Sequence, residues 1–206
     1  MTPMPALLLA TNNAGKRREF SRLLDGIEII SPADLGLALE VDETGSTFVA
    51  NATLKADAFA AAAHHIALAD DSGLEVDALD GAPGVLSARY GGPGLDDEGR
   101  FRHLLDQIRT VEAPRTARFR CCLVATAPDG RTCSAEGVCQ GVISTTPSGG
   151  GGFGYDPVFF LPQYDCTMAE VGAEIKNRIS HRAAALHALR PQLARTFPEL
   201  VPGSTA

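Results

Sequence analysis

The fold is decided by the stretch Ile66-Ala67-Leu68-Ala69-Asp70-Asp71-Ser72-Gly73-Leu74, a short apolar run that ends in two adjacent aspartates. The run predicts a buried strand, with Asp70 and Asp71 where that strand meets a loop. Carboxylates held side by side repel each other, and a bound cation or proton relieves the repulsion. A site of hard oxygen ligands for Mg²⁺ or Mn²⁺ is the matching interpretation. Asp-Ser-Gly by itself is more often an ordinary turn.

The length and composition are those of a globular protein. The chain has 206 residues, of which 45% are hydrophobic and 21% charged, enough for one large or two small domains. No apolar stretch approaches the roughly 18 residues of a membrane span. Met1 to Pro5 lack a basic start and Ala6–Ala10 is too short for a signal segment. The sequence therefore predicts a cytoplasmic protein without a membrane partner.

The charge and the cysteines exclude several classes of function. A formal net charge of −7 and an isoelectric point near 5.2 argue against a nucleic-acid partner. They leave open a small phosphorylated ligand, because a few cations in one cleft can override the overall sign. The five cysteines are odd in number and show no Cys-x-x-Cys spacing. This predicts reduced, buried thiols rather than a zinc site or a disulfide framework.

Strands alternate with helices early in the chain and pair as a hairpin late. The pattern predicts strands at 6–10, 27–30, 66–70 and 74–76, with a turn between the last two, and helices that start near Lys16, Thr47, Asp96 and Ser180. Pro128-Asp129-Gly130-Arg131 is a clear hairpin signal, and Pro191 is expected to end or kink the last helix. The order predicts an α/β protein with a mixed central sheet flanked by helices, in two lobes with a cleft between them.

The first predicted strand leads into a loop that resembles a phosphate cradle, Thr11-Asn12-Asn13-Ala14-Gly15-Lys16. Backbone N–H groups at a helix start attract anions, Gly15 permits close approach, and Lys16 adds a cation. Ala10 and Arg17 depart from the P-loop pattern, which requires glycine and then Ser or Thr at these positions. A P-loop kinase or GTPase is therefore disfavoured. An ordinary strand-to-helix turn explains the segment equally well.

Two further segments carry candidate chemistry, each with a structural alternative. Glu43 precedes the long helix and Lys55 lies two turns into it, which fits a metal ligand and a phosphate contact. A helix-dipole contact and a solvated lysine explain the same residues. The glycine tract 149–152 precedes Phe153 and Tyr155, whose rings would stack on a base at roughly 1–3 kcal/mol per base. The alternative is a floppy loop whose aromatic residues return to the core.

The segment Lys176–Arg182 places two cations at a predicted helix start. Ser180 predicts an N-cap, so His181 and Arg182 fall in the first turn, where the helix dipole opposes positive charge. This placement is expected if both side chains face an anion or a ligand rich in acceptors. Side chains that point to solvent are the alternative.

Six motifs occur in order along the chain: Ala10-Thr11-x-Asn13-x-Gly15-Lys16, Glu43-Thr44-Gly45-x-Thr47-Phe48, Ala69-Asp70-Asp71-Ser72-Gly73-Leu74-x-Val76, Pro83-Gly84-Val85-x-Ser87-Ala88-Arg89-Tyr90, Gly152-Phe153-Gly154-Tyr155-Asp156-Pro157 and Lys176-x-x-x-Ser180-His181-Arg182. Together they resemble the inosine triphosphate pyrophosphatase family, also called dITP/XTP pyrophosphatases. The resemblance extends from about Leu7 to Leu193.

The resemblance implies one ITPase-like domain over residues 1–206, with its core at about 6–193. It implies an Mg²⁺-dependent hydrolase, with Mn²⁺ as an alternative metal, that converts ITP, dITP and XTP to the monophosphate and pyrophosphate. It also implies a homodimer. On this basis Asp71 is the general base, and Glu43, Asp71 and Asp70 are the metal ligands. The implied substrate contacts are Thr11, Asn12, Asn13, Ala14, Gly15, Lys16, Lys55, Ser72, Phe153, Gly154, Tyr155, Asp156, Lys176, His181 and Arg182.

One departure from the family pattern bears on the metal. The family usually has an acid before the helix asparagine, as Glu-Asn-Ala, whereas this chain has Ala50-Asn51-Ala52. We expect reduced metal affinity at most.

Two alternatives stay open: a broader pyrophosphatase of pyrimidine or modified nucleotides, and a nucleotide sensor without turnover. The sensor is disfavoured because the implied base and the three implied lysines, Lys16, Lys55 and Lys176, are present.

Overall fold

One mixed sheet runs through the computed structural model, which describes residues 6–200. Its strands are β1 (Leu7–Leu9), β2 (Ile29–Ile30), β3 (Ala67–Val76), β4 (Thr116–Thr126), β5 (Thr132–Ile143), β6 (Phe159–Leu161) and β7 (Cys166–Thr167). The order across the sheet is β2-β1-β3-β4-β5-β6-β7. β1 is parallel to β2 and β3, whereas β6 is antiparallel to β5 and β7. The predicted mixed sheet is confirmed.

The α-helices of the described residues are α1 (Ala14–Leu23), α2 (Phe48–Ala63), α3 (Asp97–Gln107), α4 (Ala173–Ile179) and α5 (His181–Thr196). Asn13, Thr47 and Asp96 cap the first three, each accepting a hydrogen bond from a backbone N–H of the first turn. α1 begins before the predicted Lys16 because Asn13 is its cap. Within the described part of the chain, the helices are too short or too polar to cross a membrane. The prediction about Met1 to Pro5 lies outside that part.

The first of two compact units carries its own apolar core. Unit 1 comprises the described residues up to Asp71, together with Cys121–Gly137 and the described residues from Ala183 onward. Leu68 of β3 and Leu193 of α5 belong to its core, and both are at most 1% exposed. Unit 1 therefore fixes α1 and the first half of β3 on one apolar cluster.

The second unit has a separate core. Unit 2 comprises Ser72–Arg120 and Val138–Arg182. Leu74 of β3, Leu104 of α3 and Phe159 of β6 are fully buried in that core. Two units agree with the two predicted lobes, whereas the cleft and the single domain stay predictions.

The turn predicted after Asp71 is wrong, because β3 continues without a break to Val76. The strand lies between β1 and β4 in the sheet, and most of its residues are buried. Ladder hydrogen bonds and burial therefore outweigh the turn preference of Asp-Ser-Gly. Successive side chains of a strand point to opposite faces, so Asp70 and Asp71 leave the sheet on different sides.

The last helix is longer than predicted, since α5 continues through Pro191 to Thr196. Leu189, Leu193 and Phe197 recur every fourth residue and are at most 1% exposed. Burial of these side chains stabilises the segment by roughly 1.5–3 kcal/mol each. This gain offsets the free energy lost at Pro191, which donates no backbone hydrogen bond and clashes with the preceding turn of the helix.

Candidate active site

The predicted phosphate cradle is a capped and exposed helix start in unit 1. The Asn13 side chain accepts a hydrogen bond from the backbone N–H of Lys16 at 3.0 Å. The Thr11 hydroxyl accepts one from the backbone N–H of Asn13 at 3.2 Å. Asn12 and Ala14 are exposed. The N–H groups of a first helical turn have no intrahelical acceptor, so this start suits an anion.

Lys16 directs its side chain toward β3. Its ammonium group pairs with the Asp70 carboxylate and donates to the Asp70 carbonyl at 3.4 Å. The carboxylate of Asp70 is 1% exposed and also accepts a hydrogen bond from the Cys121 thiol at 3.5 Å. Asp70 thus anchors Lys16, and Gly15 is buried just before it. The role of Asp70 as a metal ligand stays a prediction.

Three oxygen atoms surround the ammonium group of Lys55 in α2, two as hydrogen-bond acceptors and one as an ion-pair partner. They are Glu43 Oε1 at 2.5 Å, the Asp70 carbonyl at 2.8 Å and Asp71 Oδ1 at 3.6 Å. Burial by itself lowers the pKa of Lys55, but the charges of Asp71, Asp70 and Glu43 raise it by more. The pKa of Lys55 therefore lies above its ordinary value, and the side chain stays a cation at neutral pH.

Asp71 is a buried carboxylate with a perturbed pKa. It is 5% exposed, and its Oδ2 accepts a hydrogen bond from Asn51 Nδ2 at 3.1 Å. Burial raises the pKa of Asp71; the Lys55 charge opposes this shift, and the Glu43 charge adds to it. A carboxylate with a raised pKa is a better proton acceptor than an exposed one. This environment suits the predicted general base.

Glu43 and Asp71 form a pair of carboxylates that suits a hard cation. Both lie against the same positive group, the ammonium of Lys55, and Glu43 disfavours the charged form of Asp71. In residues 6–200, no group of three or more His, Cys, Asp and Glu side chains is arranged to hold a metal ion. Mg²⁺ commonly takes one or two carboxylates and completes its octahedron with water and substrate phosphates. The donor set fits that mode of binding.

Phe153 of unit 2 has two cations over its ring. The Lys176 ammonium lies 5.3 Å from the ring centroid and the Arg182 guanidinium carbon 5.1 Å, both within the range of a cation–π interaction. The guanidinium of Arg182 also donates to the Ser72 hydroxyl at 2.6 Å. The structure thus brings together Ser72, Phe153, Lys176 and Arg182 from widely separated motifs, whereas their role as substrate contacts stays a prediction.

Asp156 fastens the glycine loop to Lys176. Its Oδ2 accepts from the Lys176 ammonium at 2.6 Å and from the backbone N–H of Phe153 at 2.9 Å. Gly152 has a φ of +76°, and a Cβ at this position would lie 1.9 Å from the same Oδ2. Only glycine fits this close approach. The loop is therefore held in place rather than floppy, although the other half of that alternative is confirmed for Tyr155, whose ring returns to the core.

Tyr155 and Gly154 fasten the other side of the loop. The Tyr155 hydroxyl donates to the Ser87 carbonyl at 2.9 Å, and its side chain lies in the core of unit 2. Burial raises the pKa of this phenol. The backbone N–H of Gly154 donates to the Asp97 carboxylate at 2.8 Å. Of the two aromatic residues in the loop, Phe153 is thus the less buried and the better placed for stacking.

His181 is the first residue of α5 and is 4% exposed. Its ring stacks on Phe119 of β4, with centroids 4.8 Å apart and planes inclined by 23°. Phe119 in turn packs against Phe159, with centroids 4.3 Å apart. The predicted helix start after Ser180 is confirmed, and the ring of His181 is fixed by aromatic packing rather than turned to solvent.

Asn51 belongs to the unit 1 cluster although no motif singled it out for a role. It lies in the first turn of α2, is completely buried and contacts Asp71. A signal was present in the sequence, because a polar residue among the apolar positions of an alanine-rich helix needs a hydrogen-bond partner when it is buried.

The pair of Lys176 and Asp156 predicts a large effect on stability. Replacing Asp156 by Ala removes the carboxylate partner of a buried ammonium group. We expect the free energy of unfolding, measured by urea titration, to fall by about 3–5 kcal/mol. Adding Lys176→Met to this variant removes the buried charge as well and is expected to restore part of the loss. Equal stability of Asp156→Ala and the wild type would contradict this expectation.

Comparisons with known proteins cover nearly the whole chain. The Ham1 family matches residues 7–192. The dITP/XTP pyrophosphatase of Listeria monocytogenes serotype 4b is 47% identical over 200 residues, which are 96% of this chain and 98% of the relative. That of Bacillus subtilis is 45% identical over 192 residues, 92% of this chain and 97% of the relative.

Solved structures agree with these relatives. The Staphylococcus aureus Ham1 protein superposes with a TM-score of 0.82 at 40% identity, covering 92% of this chain and 98% of its own. A HAM1 protein from Coxiella burnetii superposes with a TM-score of 0.84 at 38% identity, covering 93% of this chain and 100% of its own.

Proposed function

Because the chain belongs to the Ham1 family, we propose that it is a hydrolase that converts ITP, dITP and XTP to the monophosphate and pyrophosphate. Such an enzyme removes deaminated purine nucleotides from the nucleotide pool. The observation that carries the proposal is the convergence of Glu43 and Asp71 on Lys55. A shared fold would be weaker support, since function resides in particular side chains.

The triphosphate is bound in this proposal by the cations and backbone N–H groups of unit 1. Lys55 remains charged because carboxylates surround it, and Lys16 lies at the start of α1. Both ammonium groups are held by protein carboxylates, which position their side chains. Phosphoryl chemistry depends mainly on such positioning and electrostatic stabilisation.

Glu43 and Asp71 would hold Mg²⁺, with Mn²⁺ as an alternative. When bound, the metal neutralises charge on the phosphate oxygens. Asp70 contributes as a ligand only if it leaves Lys16 and the Cys121 thiol. Ala50, where the family usually has an acid, would reduce metal affinity at most, since two carboxylates remain.

Asp71 acts as the general base. Its carboxylate accepts a proton from a water molecule whose oxygen attacks the α-phosphorus of the substrate. The bond from the α-phosphorus to the bridging oxygen then breaks, and pyrophosphate leaves with the electron pair. The raised pKa of Asp71 favours this proton transfer. Asn51 holds Oδ2 at 3.1 Å and Lys55 lies on the side of Oδ1, which orients the carboxylate.

The base is selected by the side chains around Phe153. Hypoxanthine and xanthine carry an oxygen acceptor at C6, where adenine carries an amino donor. The guanidinium of Arg182 is rich in N–H donors, one of which is directed at the Ser72 hydroxyl, and His181 precedes it in the chain. A donor from either side chain satisfies the C6 oxygen and opposes an amino group. A site of this kind discriminates by roughly 10⁴–10⁵-fold.

The pKa of Asp71 predicts the pH dependence of turnover. A general base must be deprotonated, and burial makes the Asp71 carboxyl hold its proton to a higher pH than an ordinary carboxyl. We therefore expect kcat/KM to fall on acidification at a pH above 3.8, the ordinary value for this group. Because Mg²⁺ competes with the proton, the acid limb moves to lower pH as Mg²⁺ is raised. An acid limb that does not move with Mg²⁺ would contradict the assignment.

The proposal is tested by pyrophosphate release from ITP, XTP, GTP and ATP, each with and without Mg²⁺. We expect metal-dependent turnover of ITP and XTP with little from ATP or GTP. Equal turnover of all four would keep the chemistry and favour the broader pyrophosphatase. Tight binding without pyrophosphate release would favour the nucleotide sensor and would implicate Ala50 in the loss of turnover.

We also propose that the enzyme is a cytoplasmic homodimer that acts without nucleic acid or membrane. The support is the family resemblance and the net charge of −7. Light scattering on a sizing column tests the oligomeric state and should give twice the 21.6 kDa of the chain.

A further inference from the structure

We propose that Asn51 is a positioning residue that couples the loop carrying Glu43 to the carboxylate of Asp71. The inference deepens the proposed function and rests on it for the roles of Glu43 and Asp71. Asn51 itself touches neither substrate nor metal in this proposal; it acts through the two carboxylates that would hold the cation.

The side chain amide of Asn51 spans two segments of unit 1. Its Nδ2 donates to Asp71 Oδ2 at 3.1 Å, on β3, and its Oδ1 accepts from the backbone N–H of Gly45 at 2.7 Å. Gly45 lies two residues after Glu43 in the same loop. One completely buried amide group therefore joins the loop to the strand.

The loop is pressed against the first turn of α2. A Cβ at Gly45 would lie 2.7 Å from Asn51 Oδ1 and 2.8 Å from the Cβ of Ala50. Real Cβ atoms do not approach other atoms so closely, so a side chain at Gly45 would force the loop outward. The glycine thus permits the short hydrogen bond that fixes the distance between the loop and Asn51.

Asparagine is suited to this place by its pair of groups. Gly45 offers a donor and the ionised Asp71 offers only acceptors, so the bridging side chain must accept at one end and donate at the other. This requirement also sets which end of the amide faces which partner. Aspartate has nearly the same shape but no donor for Asp71, and alanine has neither group.

Metal ligands depend on such outer contacts for their orientation. Loss of a supporting hydrogen bond typically costs 10–100-fold in metal affinity or activity. Lys55 also joins Glu43 to Asp71, but it does so as a cation and would compete with a divalent metal for the same oxygens. Asn51 is neutral, so its support persists when the cation is bound.

The experiment compares Asn51→Asp and Asn51→Ala with the wild type. Thr53→Ala is the matched control, because Thr53 lies on α2 and its hydroxyl donates within the helix, to the Val49 carbonyl at 2.8 Å. Binding of Mn²⁺ to the nucleotide-free protein is followed by electron paramagnetic resonance. Turnover of ITP is measured in the presence of Mg²⁺, at a temperature well below the melting temperature of each variant.

We expect both Asn51 variants to bind Mn²⁺ and to turn over ITP about 10–100-fold less well than the wild type. The loss falls on kcat rather than on KM for the nucleotide, since the residues around Phe153 and the lysines that bind the triphosphate are unchanged. Thr53→Ala should match the wild type in both measurements. If Asn51→Asp fails to fold, Asn51→Ala carries the comparison.

Several outcomes would overturn the inference. If both folded Asn51 variants keep the Mn²⁺ affinity and the kcat of the wild type, Asn51 has a structural role only. A loss confined to KM would also overturn the inference. So would a wild-type protein that binds no Mn²⁺. Weaker Mn²⁺ binding by the variants of a protein that hydrolyses none of the nucleotides would sustain Asn51 and refute the proposed function.

Discussion

Replacing Asp71 by Asn is expected to lower kcat for ITP by about 10²–10⁴-fold, the usual contribution of a general base. The amide has the shape of the carboxylate but takes up no proton, and it is a poorer metal ligand. Burial disfavours the charged form of Asp71, so the neutral amide should fold without a large loss of stability. Pyrophosphate release at saturating Mg²⁺ measures the rate, and thermal melting measures the stability of the variant.

Asp57→Asn is the matched control for this variant. Asp57 is an exposed carboxylate of α2, so its loss changes the net charge by the same amount. We expect this control to retain the wild-type rate. A rate near normal in folded Asp71→Asn would remove Asp71 from the chemistry and leave the proton acceptor to another group.

Replacing Arg182 by Ala is expected to erase much of the preference for ITP over ATP. The guanidinium lies over the ring of Phe153 and is held by the Ser72 hydroxyl, so it is positioned before any base arrives. Discrimination of roughly 10⁴–10⁵-fold rests on one buried donor at the C6 oxygen in this proposal. The ratio of kcat/KM for ITP to that for ATP is the quantity to measure.

The loss should come mainly from slower turnover of ITP at low substrate rather than from faster turnover of ATP. Arg102→Ala is the control, because Arg102 is an exposed arginine of α3 whose ion pair with Glu98, at 2.6 Å, also lies on the surface. An unchanged ratio in Arg182→Ala would show that the base is read by other groups, with His181 the next to replace.

The starts of α1, α2 and α3 were predictable because their signals are local, whereas α4, whose N-cap Gly172 offers no side-chain cap, was not predicted. Asn13, Thr47 and Asp96 each cap a helix with a side chain that binds a backbone group three residues on. A cap acts over one turn of chain, so the residues that encode it lie next to each other. The end of α5 was less predictable, because packing in the core of unit 1 carries the helix through Pro191.

The character of the candidate site was predictable in part. The motifs named the carboxylates and cations, but not which of them pair. Asp70 and Asp71 are neighbours in the sequence, but the pleat of β3 points their side chains in opposite directions. Asp70 contacts Lys16 and Cys121. Asp71 contacts Asn51 and Lys55. Which partner each carboxylate meets depends on α1, α2 and β4, which are distant in the chain.

The sequence by itself determined which carboxylates and cations are candidates for the site, the starts of α1, α2, α3 and α5, and the family to which the chain belongs. Only the tertiary structure decided that β3 continues through Asp71, that Asn51 joins Gly45 to Asp71, and that Asp156 holds Lys176. The reason is the range of the interactions. Capping and periodicity act within a few residues, whereas burial and long-range hydrogen bonds form only when separate segments pack together.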